Sequence, residues 1–236
     1  MFWMLHQKNI GNVLSDLMYL KFGHITQKAN KRRILDKYGL QTFEDRLKQY
    51  LSEVPVQNLI EPDYQTMMLA LDNAENCMNS NILRDLFAKL LIRACNSDYR
   101  NLIHPSFPSV LSQMSPYDAK IFKFFVDQKP EIILTYQQYN DDCFYNCIPY
   151  FFDSYQNYDE VISESLSISS LMRLGLIAFH DDAIVFEVKN TSFEKSAMYT
   201  DFENRRISSN KYAESRLEGK ACILTPYGEA FSTACF

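Results

Sequence analysis

The chain has 236 residues, 47% of them apolar and 22% charged, with a net charge of −5 and only 6 Gly. The apolar share is ample for a packed core, which excludes wholesale disorder, collagen and low-complexity classes. So few glycines argue against an all-β protein of many tight turns and against Gly-rich nucleotide loops. A mainly α (α+β) soluble protein is expected.

Aromatics are heavy, with 17 Phe and 15 Tyr against one Trp. No apolar run reaches the roughly 18–20 residues of a membrane-spanning helix. The apolar start Met1–Leu5 has no basic lead or cleavage site, so it does not read as a signal peptide. Six dispersed cysteines (77, 95, 143, 147, 222 and 235) read as reduced thiols, which points to the cytoplasm. Charge is uneven: residues 1–60 carry +4, residues 61–160 carry −7 and residues 161–236 carry −2. An acidic middle repels nucleic acid, so phosphate contacts are expected only toward the ends.

In chain order, Ile10, Val13, Leu14, Leu17 and Met18 recur at helical spacing, followed by the basic cluster Lys28, Lys31, Arg32 and Arg33. Gly39 interrupts the pattern, and Thr42 is the expected N-cap of a helix with Phe43, Leu47, Tyr50, Leu51 and Val54 on its inner face. Pro55 and Pro62 frame an extended connector. Residues 63–96 read as two helices, the second starting near Ser80 with Leu83, Leu86, Phe87, Leu90, Leu91 and Ala94 as its stripe. His104-Pro105-Ser106-Phe107-Pro108 breaks the chain before a short helix, with Ser106 as its expected N-cap. Ser115-Pro116-Tyr117-Asp118 starts another helix: Ser caps, Pro presets the first turn and Asp faces the positive end of the dipole.

Ile132–Tyr136 is a strand by its β-branched and aromatic content, whereas Phe144–Tyr158 shows no clean period. A helix spans about Tyr158 to Leu174, offering several serines and Arg173, and Gly175 ends it as a C-terminal cap. Leu176–Phe179 and Ala183–Val188 read as a hairpin across the turn His180-Asp181-Asp182. Ala221–Thr225 is a third strand, and Thr225-Pro226-Tyr227-Gly228 opens the last helix. The expected division is an N-terminal helical domain (1–130), an aromatic-rich connection (131–157) and a C-terminal domain (158–236) with an insertion at 189–220.

Helix, Arg173-Leu174-Gly175-Leu176-Ile177, hairpin, then Leu224-Thr225-Pro226-Tyr227-Gly228 and a closing helix resembles a winged helix-turn-helix. From about residue 25 the chain resembles the bacterial abortive-infection alpha family. The likeness rests on Val54-Pro55, Leu59-Ile60-Glu61-Pro62, Leu86-Phe87-Ala88-Lys89-Leu90-Leu91, His104-Pro105-Ser106-Phe107, Met114-Ser115-Pro116 with Asp118-Ala119, and the two C-terminal phrases just named. Met114 stands where Leu is more usual, a volume-conserving change. The first 24 residues and Phe144–Tyr158 match least. The resemblance implies a helical N-terminal part, a C-terminal winged-helix-like part and a setting in bacterial defence against phage. It implies no reaction.

Several side chains are weighed as sites. His104 beside Ser106 has the elements of an acid–base pair, but both also fit backbone hydrogen bonding at a chain break, with Phe107 plugging the core. Asp182, Glu187 and Lys189 have the residue types of a metal-dependent nuclease. Asp182 and Glu187 are an odd number of residues apart and face opposite ways on one strand. Cys143 and Cys147 lack the further ligands that zinc needs. No metal and no cofactor are therefore expected.

For nucleic acid the cations available are Lys28, Lys31, Arg32, Arg33, Arg173, Arg205, Arg206, Lys211, Arg216 and Lys220, yet residues 189–220 sum to only +2. The expected function is phage defence without catalysis, by binding a protein partner or by self-association. A DNA- or RNA-binding regulator is the alternative, and a metal nuclease the third reading.

Overall fold

A computed structural model describes residues 30–127, 131–140, 144–153, 157–180 and 184–236 of the chain. Within them the protein is helix-rich with one small antiparallel sheet. Residues up to Ala119, joined by Ala230–Phe236, form one compact unit, and Lys120–Glu229 form a second.

The first unit opens with α1 (Asn30–Glu53), followed by α2 (Tyr64–Glu75), α3 (Asn81–Ala94) and α4 (Phe107–Gln113). α1 buries Phe43 and Leu47 and packs against α3, while α2 packs against α3 and α4. Gly39 does not interrupt α1. A Cβ there would lie 2.5 Å from the Met78 carbonyl oxygen, so this glycine permits a close backbone approach. Thr42 is consequently mid-helix and caps nothing; its hydroxyl donates back to the Tyr38 carbonyl at 2.8 Å. The helix starts expected near Asp63 and Ser80 hold. Asp63 accepts from the Thr66 amide at 2.7 Å and Ser80 from the Leu83 amide at 3.3 Å, each satisfying a first-turn donor.

α5 (Pro116–Asp127) begins with a reciprocal capping box: the Asp118 amide donates to Ser115 Oγ at 3.0 Å and the Ser115 amide to Asp118 Oδ2 at 2.8 Å. The second unit is built on β1 (Glu131–Tyr139), β2 (Phe144–Phe151), α6 (Tyr158–Arg173), β3 (Ile177–Phe179), β4 (Phe186–Glu187), α7 (Ala197–Ser209) and β5 (Glu214–Leu224). α8 (Pro226–Cys235) closes the chain.

The sheet order is β2-β1-β5-β3, with β4 also on β5. β1 pairs with β5 along the whole length of β1, Glu131 opposite Cys222 through Tyr139 opposite Glu214. β3 and β4 do not form the expected hairpin with each other. Both lie antiparallel to β5, Ile177–Phe179 opposite Leu224–Cys222 and Phe186 opposite Gly219. The long strand β5 outcompetes a two-residue partner for their hydrogen bonds. Phe144–Tyr158, without period in the sequence, holds β2. Register shifts against β1 and a left-handed Tyr150 (φ 56°) erase its alternation.

The second unit's core gathers Leu134, Tyr136, Ile148, Phe151, Val161, Phe193 and Leu217. The Tyr136 ring meets Phe193, Tyr199 and Phe202 with centroids 5.4, 5.7 and 5.6 Å away. α6 packs on β2 with Val161, Glu164, Ser165, Ser167, Ile168 and Leu171 inward. Among the serines of this helix, Ser165 and Ser167 are thus buried; the Ser165 hydroxyl donates to the Pro149 carbonyl.

Candidate functional site

Two phrases of the helical unit, Leu59-Ile60-Glu61-Pro62 and His104-Pro105-Ser106-Phe107, come together around one cavity. Leu59 bridges Asn96, and the Ile60 amide donates to the Cys95 carbonyl at 2.9 Å, which holds the segment before α2 extended against the end of α3. Asn58 Nδ2 donates to Asp98 Oδ2 at 2.7 Å and fixes the same junction. On the opposite wall the Leu102 and Ile103 amides donate to the Tyr99 carbonyl, at 2.9 and 3.2 Å, and the Phe107 amide donates to the His104 carbonyl at 3.0 Å.

The cavity has a volume of about 610 Å³. Glu61, Asp63, Tyr64 and Arg100 supply its polar lining; Ile60, Pro62, Ile103 and Pro105 supply apolar walls. Asp63 is committed to capping α2, accepting from both the amide and the hydroxyl of Thr66 at 2.7 and 2.8 Å. Those bonds, the backbone one foremost, hold its carboxyl below the ordinary value, so it stays negative.

His104 is exposed at the rim of this region. Its Nδ1 accepts from the Ser106 amide at 3.2 Å and lies 2.6 Å from Ser106 Oγ. Ser106 stands at the N-cap position of α4 but makes no side-chain cap bond, because its hydroxyl faces His104. The imidazole nitrogen nearest the hydroxyl is therefore also engaged by backbone, which suits a staple of the turn. The expected plug is present: Phe107 is fully buried, 5.3 Å centroid to centroid from Phe231 and edge-on to it.

The cations singled out in the second unit are mostly met by acids. Arg205 pairs with Asp201 at 2.6 Å, Arg206 with Glu203 at 2.7 Å and Arg216 with Glu214 at 2.5 Å. Lys211 and Arg216 lie over the rings of Tyr212 and Tyr139, each 5.0 Å from the centroid. Arg206 also donates to the Tyr212 and Ala213 carbonyls, at 3.3 and 2.7 Å, and so ties α7 to the start of β5. Arg173 is exposed at the end of α6.

Glu187 is bound by Lys189 at 3.3 Å. Asp182, Cys143 and Lys28 lie outside the described residues, as do the side chains of Lys31, Arg32 and Arg33. Among the described residues no group of three or more His, Cys, Asp or Glu is placed to hold a metal ion. Nor is any helix among them long and apolar enough to cross a membrane.

Tyr64 and Arg100 belong to no phrase that marked them in the sequence. Only the fold brings them to the cavity, and their distance along the chain hid the pairing.

The order of these phrases is that of an abortive-infection class of proteins. The chain belongs to the abortive infection alpha family, whose sequence model matches residues 35–235. No curated protein and no solved structure matches it.

Proposed function

We propose that this chain serves abortive infection from the cytoplasm by binding another protein, or a second copy of itself, without chemistry of its own. The observation that carries the reading is the outward face of α6. Tyr158, Ile162 and Leu166 follow one another at four-residue spacing and are 54%, 42% and 71% exposed. Such spacing places them in one stripe on a helix, and an apolar stripe turned to solvent marks a binding surface.

Residues 158–236 are read as winged-helix-like: helix α6, the strands β3, β4 and β5, then helix α8. In that reading the helix that reads DNA elsewhere presents aliphatic and aromatic side chains, which suit a protein surface. Charge supports the same choice. Affinity for duplex requires unneutralised Lys and Arg against phosphates, and Arg205, Arg206 and Arg216 each already face an acid.

Phage challenge of cells carrying Ile162→Lys with Leu166→Lys tests the proposal, alongside thermal unfolding and size analysis of the purified variant. Protection is expected to fall while the melting temperature holds. Undiminished protection overturns it. So does loss of protection in a folded His104→Ala protein whose self-association is normal, since that result assigns activity to the histidine. A salt-sensitive shift of duplex DNA, lost on Arg173→Gln with Arg205→Gln, would move the assignment to the nucleic-acid alternative.

A further inference from the structure

The cavity of the helical unit has a charge arrangement that the proposed partner surface does not use. Glu61 and Arg100 both line it. Among the described residues neither side chain makes a hydrogen bond or an ion pair, and both are exposed, so their charges face solvent and whatever enters. Ile60, Pro62 and Ile103 add apolar walls to the same lining, which also includes the exposed Tyr64.

We propose that this cavity binds a dipolar ligand of the amino-acid or short-peptide class, its ammonium on Glu61 and its carboxylate on Arg100. The sign of the site selects that class. Glu61, Asp63 and Arg100 sum to one negative charge, which disfavours nucleotides and other polyanions, whereas a zwitterion matches both ends. Arg presents a planar fork that suits a carboxylate. The negatively held Asp63 reinforces Glu61 without leaving its own cap. A volume of about 610 Å³ falls in the range of small-molecule sites, and a lining in which polar and apolar residues are evenly mixed suits a ligand with charged ends and a short apolar middle. Pro62 and Pro105 stiffen the two walls, which lowers the entropy lost on binding.

Titrating the full-length protein with the tripeptide Ala-Ala-Ala, followed by amide chemical shifts, tests the assignment. The free tripeptide is expected to bind saturably and to move the Glu61, Tyr64 and Arg100 signals. Acetylating its N-terminus or amidating its C-terminus is each expected to weaken binding on the order of tenfold, the worth of one charge-assisted hydrogen bond. In Glu61→Gln the acetyl group should cease to matter while the amide still does. In Arg100→Gln the pattern should reverse. Both substitutions sit at exposed positions, so the fold is kept. Absence of saturable binding overturns the proposal, as does binding indifferent to both caps or a cap effect that survives the matching substitution. The α6 stripe is not involved, so failure here leaves the partner-binding reading standing.

Discussion

The hydroxyl of Thr225 donates to the Gly175 carbonyl at 2.6 Å and accepts from the Gly228 amide at 2.9 Å. One side chain thus ties the end of α6 to the start of α8, and the Thr225 amide adds a bond to the Leu176 carbonyl at 3.1 Å. Gly175, at φ 73°, completes a Schellman turn: its own amide donates to Met172 and that of Leu176 to Leu171, at 2.9 and 3.0 Å. The phrases Leu174-Gly175-Leu176-Ile177 and Leu224-Thr225-Pro226-Tyr227-Gly228 are two halves of this junction.

Gly228 has no room for a Cβ, because the backbone carbonyl of Leu176 occupies that space. Backbone yields poorly, so Gly228→Ala is expected to cost about 2–3 kcal/mol. Thr225→Val keeps the shape and loses the hydrogen bonds, a cost of about 1–2 kcal/mol. Urea unfolding of both variants measures the order; a Gly228→Ala protein as stable as the parent would contradict the packing.

Glu203 anchors α7 to the sheet. Its carboxylate accepts from the Tyr136 hydroxyl at 2.5 Å and from Arg206 Nε and a terminal guanidinium nitrogen at 3.0 and 2.7 Å. Burial pushes its carboxyl upward, but bonds from Arg206, Ser215 and Tyr136 outweigh burial and hold it below the ordinary value. A depressed carboxyl contributes stability above the ordinary carboxylate range, and that contribution is lost as pH falls through the depressed folded value. Glu203→Gln is therefore expected to cost about 2 kcal/mol near neutrality, the gap closing on acidification. A gap independent of pH would separate the loss from this charge.

What the sequence disclosed and what it hid divide by distance along the chain. Most caps and stops were readable because each depends on a few neighbours: Ser80, Ser115 and Gly175 do what their types and spacings predict, whereas the Ser106 hydroxyl turns to His104 instead of capping α4. Gly39 was misread because its reason is the Met78 backbone, far off in sequence. The β3–β4 hairpin was misread for the same cause, since β5 takes both strands from about 40 residues downstream. Of the cavity, Glu61 and Pro105 lay within recognised phrases. Arg100 and Tyr64 carried no local signal, since an exposed Arg or Tyr has the same appearance in sequence whether it lines a cavity or faces open water.

Arg205 and Arg206 are neighbours with different work. Arg205 makes an exposed helix-surface pair with Asp201, of a kind worth a few tenths of a kcal/mol. Arg206 is mostly buried and serves Glu203 and two carbonyls of the turn into β5. Arg205→Ala is expected to leave the melting temperature unchanged. Arg206→Ala should lower stability by about 2–3 kcal/mol, because it strands Glu203 and two acceptors. Any nucleic-acid binding lost only in Arg206→Ala would then report unfolding; binding lost in Arg205→Ala would report contact. Thermal melts run beside the binding assay distinguish the two.

Glu164 shows the opposite sign to Glu203. It lies on the buried face of α6, 8% exposed, accepting from the Phe152 amide at 3.2 Å. Burial raises its carboxyl pKa; the backbone bond offsets part of that rise, and the nearby negative charge of Glu160 adds to it. The folded state then holds this proton more tightly than the unfolded chain does. Stability is greatest at low pH with respect to this group and falls as pH climbs through the raised folded value. Glu164→Gln keeps an acceptor for Phe152 and has no charge to desolvate. The variant should be more stable than the parent near neutrality, with the difference shrinking as the parent is protonated. Urea midpoints at neutral and mildly acidic pH check this, and a variant weaker than the parent at neutral pH would mean that the carboxylate is needed charged.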